Sequence, residues 1–235
     1  MPKSEPVEST VVNEASALIT ITPEQLAIEA QNLINRLGSM GGGDVVKFEN
    51  KNFVFPDGVT VPSEMDAVIV DFAYVNQMFR GNFDRKNPSA PICAAVGLDQ
   101  DHLVPFEHSP ERQSDSCIAC PMNQYGSAGN GKACKNGVWL AVIAANATDD
   151  SPMYIMKLSP TAITPFKRYV ANTISTFQTP TYGVVTHFEF DPKETYPKVL
   201  CSNPDRKRNQ NLEQALKRRA EAAARLTQTI NFTSA

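Results

Sequence analysis

Apolar residues along this chain gather mostly in short runs with the length of β-strands, and the runs are rich in β-branched or aromatic residues. The five runs cover residues 67–74, 138–144, 153–158, 184–190 and 196–201. Between the third and fourth runs, apolar residues from Phe166 to Phe177 recur at helical spacing, and Pro165 and Pro180 bracket them. The pattern predicts five strands, with one helix between strands three and four.

Shorter elements are predicted before the first of these strands. Residues 45–49, 52–55 and 59–61 form a small hairpin region, with Pro56-Asp57-Gly58 as a tight turn. Further upstream, residues 22–43 predict a helix that opens with a capping box at Thr22 and ends in a glycine run. Residues 1–21 are polar and are expected to be a disordered lead-in.

The end of the chain, residues 205–235, predicts a basic amphipathic helix. Its apolar side is expected to carry Leu212, Leu216, Ala220, Ala223 and Leu226. Such a helix could pack on its own domain, or it could dock on a neighbouring subunit or cover DNA. The sequence favours neither alternative.

Five strands with a helix between the third and fourth is the element order of the OB-fold, a small Greek-key barrel that binds oligonucleotides. We therefore predict a mainly β (α+β) protein with an OB-like domain over residues 44–204. A long insertion rich in Gly, Pro and Cys, residues 80–136, follows strand one. A β-sandwich decorated with helices is the rival architecture.

Charge and hydropathy narrow the class of protein. The net charge is −3, but the segment from Asp205 onward carries seven basic and three acidic residues, so that tail holds +4 and the rest −7. No stretch approaches the roughly eighteen apolar residues of a membrane span, and the N-terminus lacks the layout of a signal peptide. We expect a cytoplasmic protein without a membrane partner.

Three of the five cysteines fall close together in the insertion, as expected of a metal site in a reducing compartment. Cys117-x-x-Cys120 can direct two thiolates at one ion, and Cys134 returns after a glycine-rich loop. A closed zinc site needs a fourth ligand. Cys93 is our choice because it opens the same insertion, with His108 and His102 in reserve. An iron–sulfur cluster could use the same thiolates, whereas Cys201 is expected to be a core residue.

Catalytic patterns are weak. Gly126 to Lys132 has the spacing of a phosphate loop, but Ala133 follows where a Ser or Thr is needed, and no strand precedes it. His187-Phe188-Glu189 follows the cysteine pair, the reverse of the order in zinc deaminases. We expect that the protein is not an enzyme.

The cysteine region resembles a known family. Pro91-Ile92-Cys93, then Cys117-x-x-Cys120-Pro121-x-Asn123-x-x-Gly126-Ser127, then Gly131-Lys132-Ala133-Cys134-Lys135, is similar to small proteins encoded in the replication regions of tailed bacteriophages. The similarity extends over about residues 66–201 and includes Pro165-Phe166-Lys167-x-Tyr169-Val170. Some members of this family are described as single-stranded DNA-binding proteins, and others are uncharacterised. The resemblance implies that all four cysteines act together, which favours Cys93 over the histidines.

The leading hypothesis is a single-stranded DNA-binding protein of a phage replication or recombination system with one structural zinc, in which rings stack on bases and basic residues meet phosphates. Candidate DNA contacts are Tyr125, Lys132, Lys135, Trp139, Tyr154, Lys157, Lys167, Arg168 and Tyr182. The expected partners are single-stranded DNA, replication proteins and further copies of the chain. The alternative is a zinc-stapled adaptor that recruits replication or host proteins, and a metal-dependent nucleic-acid enzyme ranks third.

Overall fold

A computed structural model describes residues 44–81, 89–227, 230 and 232. The strands are β1 (Val45–Glu49), β2 (Asn52–Val54), β3 (Thr60–Pro62), β4 (Glu64–Met78), β5 (Cys93–Gly97), β6 (Lys135–Ala144), β7 (Tyr154–Leu158), β8 (Thr186–Phe190) and β9 (Val199–Ser202). The α-helices of these residues are α1 (Ile163–Phe177), α2 (Leu212–Lys217) and α3 (Arg219–Leu226). The lead-in and the helix predicted over residues 1–43 lie outside this part of the chain.

The nine strands form one sheet in the order β3-β2-β1-β7-β6-β4-β8-β9, and β5 also pairs with β4. The predicted strands one to four are β4, β6, β7 and β8. Their spatial order is therefore fourth, first, second, third, which is the order of a Greek key. Because the described strands form a single sheet, they do not make the two packed sheets of the rival β-sandwich.

The sheet curls into an open half-barrel. Phe53 of β2 and Phe190 of β8 lie far apart in the strand order, yet their ring centroids are only 4.5 Å apart. Such a contact requires the sheet to bend towards the face that carries both rings. β7 pairs in parallel with β1, through Val45 and Val46, and no pairing joins β7 to β9 among the described residues. The predicted mainly β class is confirmed, and the sheet is open.

The concave, or inner, face holds the larger core. Alternate residues of β6, namely Val138, Leu140 and Val142, point into it and are fully buried. Helix α1 closes this face with Phe166 and Tyr169, residues one turn apart. The helix thus lies where the period of apolar residues predicted it, between β7 and β8.

The outer face is covered by the end of the chain. Ala215 of α2, with Ala222 and Leu226 of α3, packs against outer-face residues of β4, β6 and β7. The predicted single helix is wrong, because the chain breaks into two helices at Arg218, and of the five residues on the predicted apolar side only Leu226 is fully buried. Leu212 and Leu216 are 41% and 46% exposed, while Ala215, Ala222 and Leu226 are buried. Of the alternatives for this segment, the structure has the helices packed on their own domain.

Strand β4 shifts register between Ile69 and Asp71, where it pairs with β6. This bulge leaves one extra residue in β4, so the residues that point to the inner face change from Ala67 and Ile69 to Phe72 and Tyr74.

The insertion after β4 contains one strand that the sequence pattern did not predict, β5. No helix among the described residues has the length and apolar character needed to cross a membrane.

Candidate metal and nucleic-acid site

The sheet and one loop bring the four candidate ligands together. Cys93 is the first residue of β5 and pairs with Met78 near the end of β4. Cys134 immediately precedes β6, whose Lys135 pairs with Gln77 on the other side of β4. Two cysteines therefore flank the end of the same central strand. The other two, Cys117 and Cys120, come from the loop of the insertion.

Backbone hydrogen bonds fold this loop back over the sheet. The Cys117 amide donates to Leu103 O at 3.0 Å, and the Cys134 amide donates to Met122 O at 2.9 Å. A short 3-10 turn, Pro121–Asn123, follows Cys120 and begins at the proline. The loop is consequently tied to both Cys134 and the base of the insertion.

All four thiols line one cavity of about 10 Å³, close to the volume of a single water molecule or small ion. The four cysteines are unbridged and between 6% and 9% exposed. Within the described ranges, no group of three or more His, Cys, Asp or Glu side chains is arranged so that it could hold a metal ion. Even so, all four cysteines line the same cavity. Its sulfur donors are those that zinc and iron–sulfur clusters use.

The thiols influence one another electrostatically. Burial raises the pKa of Cys117, and the neighbouring Cys93 and Cys120 raise it further, whereas a hydrogen bond with Asn76 lowers it. Burial, followed by the charges of the other three cysteines, raises the pKa of Cys134 to about 12. Four ionised thiols would therefore repel one another in this cavity unless a cation lay among them.

Three asparagines fix the loop beside the cavity, and the sequence analysis missed two of them. The side-chain amide of Asn136 donates through Nδ2 to Asn123 Oδ1 at 2.8 Å and to Asn76 Oδ1 at 2.5 Å. The side-chain amide of Asn123 donates through Nδ2 to the backbone carbonyl of Cys117 at 2.8 Å. Asn76 and Asn136 pair across β4 and β6. Their signal in the sequence is only a polar residue in each of two apolar strands, whereas Asn123 belongs to the motif after Cys120.

The reserve ligands lie elsewhere. His102 is exposed and contacts Asp99, with 2.6 Å between Nδ1 and Oδ2. His108 is also exposed and stacks on Phe106 at 5.4 Å. Cys201 lies in β9 and packs against the inner core, where burial raises its pKa. None of these three lines the four-cysteine cavity.

Several of the predicted nucleic-acid contacts cluster near the cysteines. Tyr125 is 77% exposed on the insertion loop. The Lys132 ammonium donates to Asn123 Oδ1 at 3.5 Å, and Lys135 is exposed at the start of β6. The Lys135 ammonium donates to Lys132 O at 2.9 Å, which keeps the two lysines adjacent. Through Asn123, which lines the cavity, Lys132 is tied to the cysteine site, and Lys135 is adjacent to Lys132.

Trp139 and Lys157 form a pair farther along the outer face. The register sets Trp139 of β6 opposite Lys157 of β7. The ammonium lies 4.5 Å from the centre of the indole ring, within the range of a cation–π contact. Trp139 is half-buried and Lys157 is exposed. Because side chains alternate along a strand, Lys135 and Trp139 share this face of β6.

Of the remaining candidates, Tyr182 packs against the outer-face core, whereas Tyr154, Lys167 and Arg168 lie elsewhere. Tyr154 belongs to the inner face and packs edge-on against Phe55 at 4.9 Å, a position unsuited to stacking on bases. Tyr182 is half-buried beneath Arg219, whose guanidinium is 5.3 Å from its ring. Lys167 lies over Tyr74 at 5.3 Å and contacts Gln100. Arg168 lines a separate groove beside β9.

Comparison with known proteins adds no relative. The chain matches no family model, no curated protein and no solved structure.

Proposed function

We propose that this chain is a single-stranded DNA-binding protein of a bacteriophage replication or recombination system, with an insertion fixed by one structural zinc ion. The observation that carries the proposal is the outer face of β6 and β7 beside the cysteine cavity. There, Lys135, Trp139 and Lys157 combine two cations with an aromatic ring, the pairing of groups that single-strand binders use.

The proposed fold is OB-like. Its five strands are β4, β6, β7, β8 and β9, with α1 between the third and the fourth. Supporting this, the first strand pairs with the second and the fourth, the second with the third, and the fourth with the fifth. In such a barrel, strands two and three carry the oligonucleotide. Here these are β6 and β7.

Zinc fits the donor set. Cys93, Cys117, Cys120 and Cys134 would hold the ion as four thiolates, a closed structural site. The ion would supply folding free energy and compensate the charge of the thiolates. With the insertion fixed, Lys132, Lys135 and Tyr125 would be held at the end of the binding face. The metal takes no part in contacting DNA.

The chain's own residues would bind DNA in two ways. Lys132, Lys135 and Lys157 would meet phosphates, and the Lys157 ammonium would move from the Trp139 ring to a phosphate as a base stacks on the indole. The other end of the outer face is covered by α3. The proposed path is therefore short and runs past the cysteine end of the sheet.

A salt-dependent titration tests the proposal. Zinc-loaded protein should bind single-stranded oligonucleotides more tightly than duplex, with log K falling by about 0.7 per phosphate contact for each unit of log salt. Exchanging Lys132 and Lys135 together for Gln should flatten that slope by about one to two units. The matched control exchanges exposed Lys193 and Lys217 for Gln, which changes the net charge equally and should leave the slope unchanged.

Equal affinity for single strands and duplex at about 50 mM salt, where electrostatic binding is strong, would overturn the DNA-binding proposal. The zinc-stapled adaptor would then take its place.

A further inference from the structure

A second concave surface lies between helix α1 and β9, the last strand of the sheet. The groove measures about 670 Å³, within the range of ligand-binding pockets. From α1 it is lined by Arg168, Asn172 and Thr176, which recur every four positions along one helix face, and by Phe177 at the end of the helix. From β9 it is lined by Leu200, Cys201 and Ser202.

Three consecutive strand residues can line one groove only if the groove borders the edge of the strand, because successive side chains point to opposite faces. β9 is the last strand in the order, and on this side it pairs with no other strand of the described chain. Its outer edge therefore presents unpaired backbone groups to the groove.

The register identifies those groups. The backbone amide of Asp191, which follows β8, donates to the carbonyl of Lys198, which precedes β9, at 2.8 Å. Asp191 and Lys198 are therefore a hydrogen-bonded pair next to the first pair of the two strands. Antiparallel pairing alternates, and Phe190 pairs with Val199. Leu200 and Ser202 consequently bond to β8, whereas the amides and carbonyls of Val199 and Cys201 face the open edge.

The charges at the groove favour an anionic occupant. Arg168 on α1 and Arg206 beyond β9 make no ion pair with any described acidic residue, and Arg206 lies 5.7 Å from the Phe177 ring. Among the acids, Asp191 is neutralised by Lys198 at 2.9 Å, which leaves Glu189. The unpaired charges that line the groove are thus two guanidinium groups and one carboxylate.

We propose that this groove binds an extended acidic peptide of a partner protein, which adds to β9 as a further strand. A polypeptide strand supplies alternating amides and carbonyls that match those of Val199 and Cys201. DNA phosphates offer acceptors only, so they cannot satisfy the outward carbonyls. A second copy docked edge to edge would bring the two pairs of arginines together. The proposal stands apart from DNA binding on β6 and β7.

The short length of β9, four residues, is also a common means of discouraging unwanted strand pairing. So few backbone bonds leave affinity dependent on the two arginines. Charge removal is therefore the discriminating change.

The experiment selects binders from a random peptide display library, about ten residues long to span one strand, on the full zinc-loaded chain. Enriched peptides should alternate β-branched or aromatic residues with Asp or Glu. A synthetic copy of the most enriched peptide should bind at least about tenfold more weakly to the Arg168→Gln/Arg206→Gln variant, the loss of two charge-assisted contacts. The matched control, Lys167→Gln/Lys193→Gln, changes the same charge outside the groove and should bind as the parent does.

Amide hydrogen exchange gives the second readout. In the complex, the Val199 and Cys201 amides should exchange more slowly, because strand addition gives them carbonyl partners. The proposal would be overturned if the library yielded no enriched peptide. It would also be overturned if the double arginine variant and the lysine control bound the enriched peptide equally well. Loss of oligo(dT) binding in the arginine variant, which would assign the groove to DNA, would overturn it too, as would dimerisation without peptide that this variant abolishes.

Discussion

The ammonium of Lys157 lies over the ring of Trp139, 4.5 Å from its centre, on a face that Lys135 shares. If the ring receives a base, Trp139→Ala should weaken single-strand binding by about 1 to 3 kcal/mol with little change in the salt slope. Lys157→Gln should instead reduce the slope by about 0.7, since it removes one phosphate contact. Fluorescence anisotropy at several salt concentrations measures both changes. Equal slopes for parent and Lys157→Gln would remove Lys157 from the interface.

Tyr154 provides the contrasting aromatic change, because its ring packs inside the sheet against Phe55. Tyr154→Ala should lower the free energy of unfolding by about 2 kcal/mol, less than a fully buried ring costs. Affinity for single strands at a temperature where the variant is folded should remain that of the parent. Urea denaturation beside the titration separates the two effects. An affinity loss without a stability loss would return Tyr154 to the binding face.

Zinc should copurify in one equivalent and depend on the four cysteines of the cavity. Cys117→Ser or Cys134→Ser should release the ion and loosen the insertion, because a structural metal stabilises the fold that binds it. Cys201→Ser is the control, since Cys201 lies in the inner core. Elemental analysis of protein purified under reducing conditions decides the matter. Iron with sulfide, or zinc that depends on Cys201, would contradict the assignment.

Closure of the half-barrel should depend on the contact between Phe53 and Phe190, whose rings stack at 4.5 Å. Phe53 is fully buried, so Phe53→Ala should lower the free energy of unfolding by about 3 to 5 kcal/mol. Phe53→Leu keeps most of the apolar volume and should cost clearly less. Equilibrium denaturation of the zinc-loaded protein measures both. An alanine variant as stable as the leucine variant would mean that β1 to β3 close the sheet without this ring.

Acid stability should depend on Asp66. Burial alone would raise the pKa of its carboxyl, but hydrogen bonds from His187 and Lys207 outweigh burial and hold that pKa below the ordinary 3.8. A carboxyl with a lower pKa in the folded state stabilises folding above its unfolded pKa and loses that contribution as the pH falls. The stability difference between parent and Asp66→Asn should therefore be present near pH 6 and shrink below pH 3.8. Urea midpoints across that range test it, and a constant difference would contradict it.

Local pattern was sufficient to predict the hairpin over β1 to β3, the five main strands and helix α1. Each has a strong apolar period and turn residues at its ends, such as Pro56-Asp57-Gly58. Strand β5 was missed because its Cys-Ala-Ala-Val-Gly sequence has little β-branched or aromatic content. It forms because Cys93 to Gly97 complete the hydrogen bonds of β4. That partner is distant in sequence.

The C-terminal helices show a second limit. The apolar period runs through Arg218 without interruption, so the sequence predicts one helix and, apart from Leu226, the wrong buried residues. Arg218 instead pairs with Glu221 at 2.9 Å and bonds to Ser151 O, and these contacts accompany the break. For the cysteines, spacing in the chain predicted three ligands. The fourth, Cys93, was chosen because it opens the same insertion and because of the resemblance, and the register of β5 against β4 places it at the end of β4 that Cys134 also flanks.

Because the outer face is covered by the C-terminal helices, it stays uncovered during most of synthesis. Val68, Val70 and Ile143 leave the ribosome well before Ala222 and Leu226, the residues that shield them. During translation the sheet therefore has one bare apolar side until the last turns of helix emerge, a state prone to aggregation. A chain that stops after Ser202 would retain every strand that the structure describes and would still expose this apolar side to aggregation. Fusion of a solubilising partner to the N-terminus would protect the nascent chain in a way that a C-terminal fusion, made last, cannot.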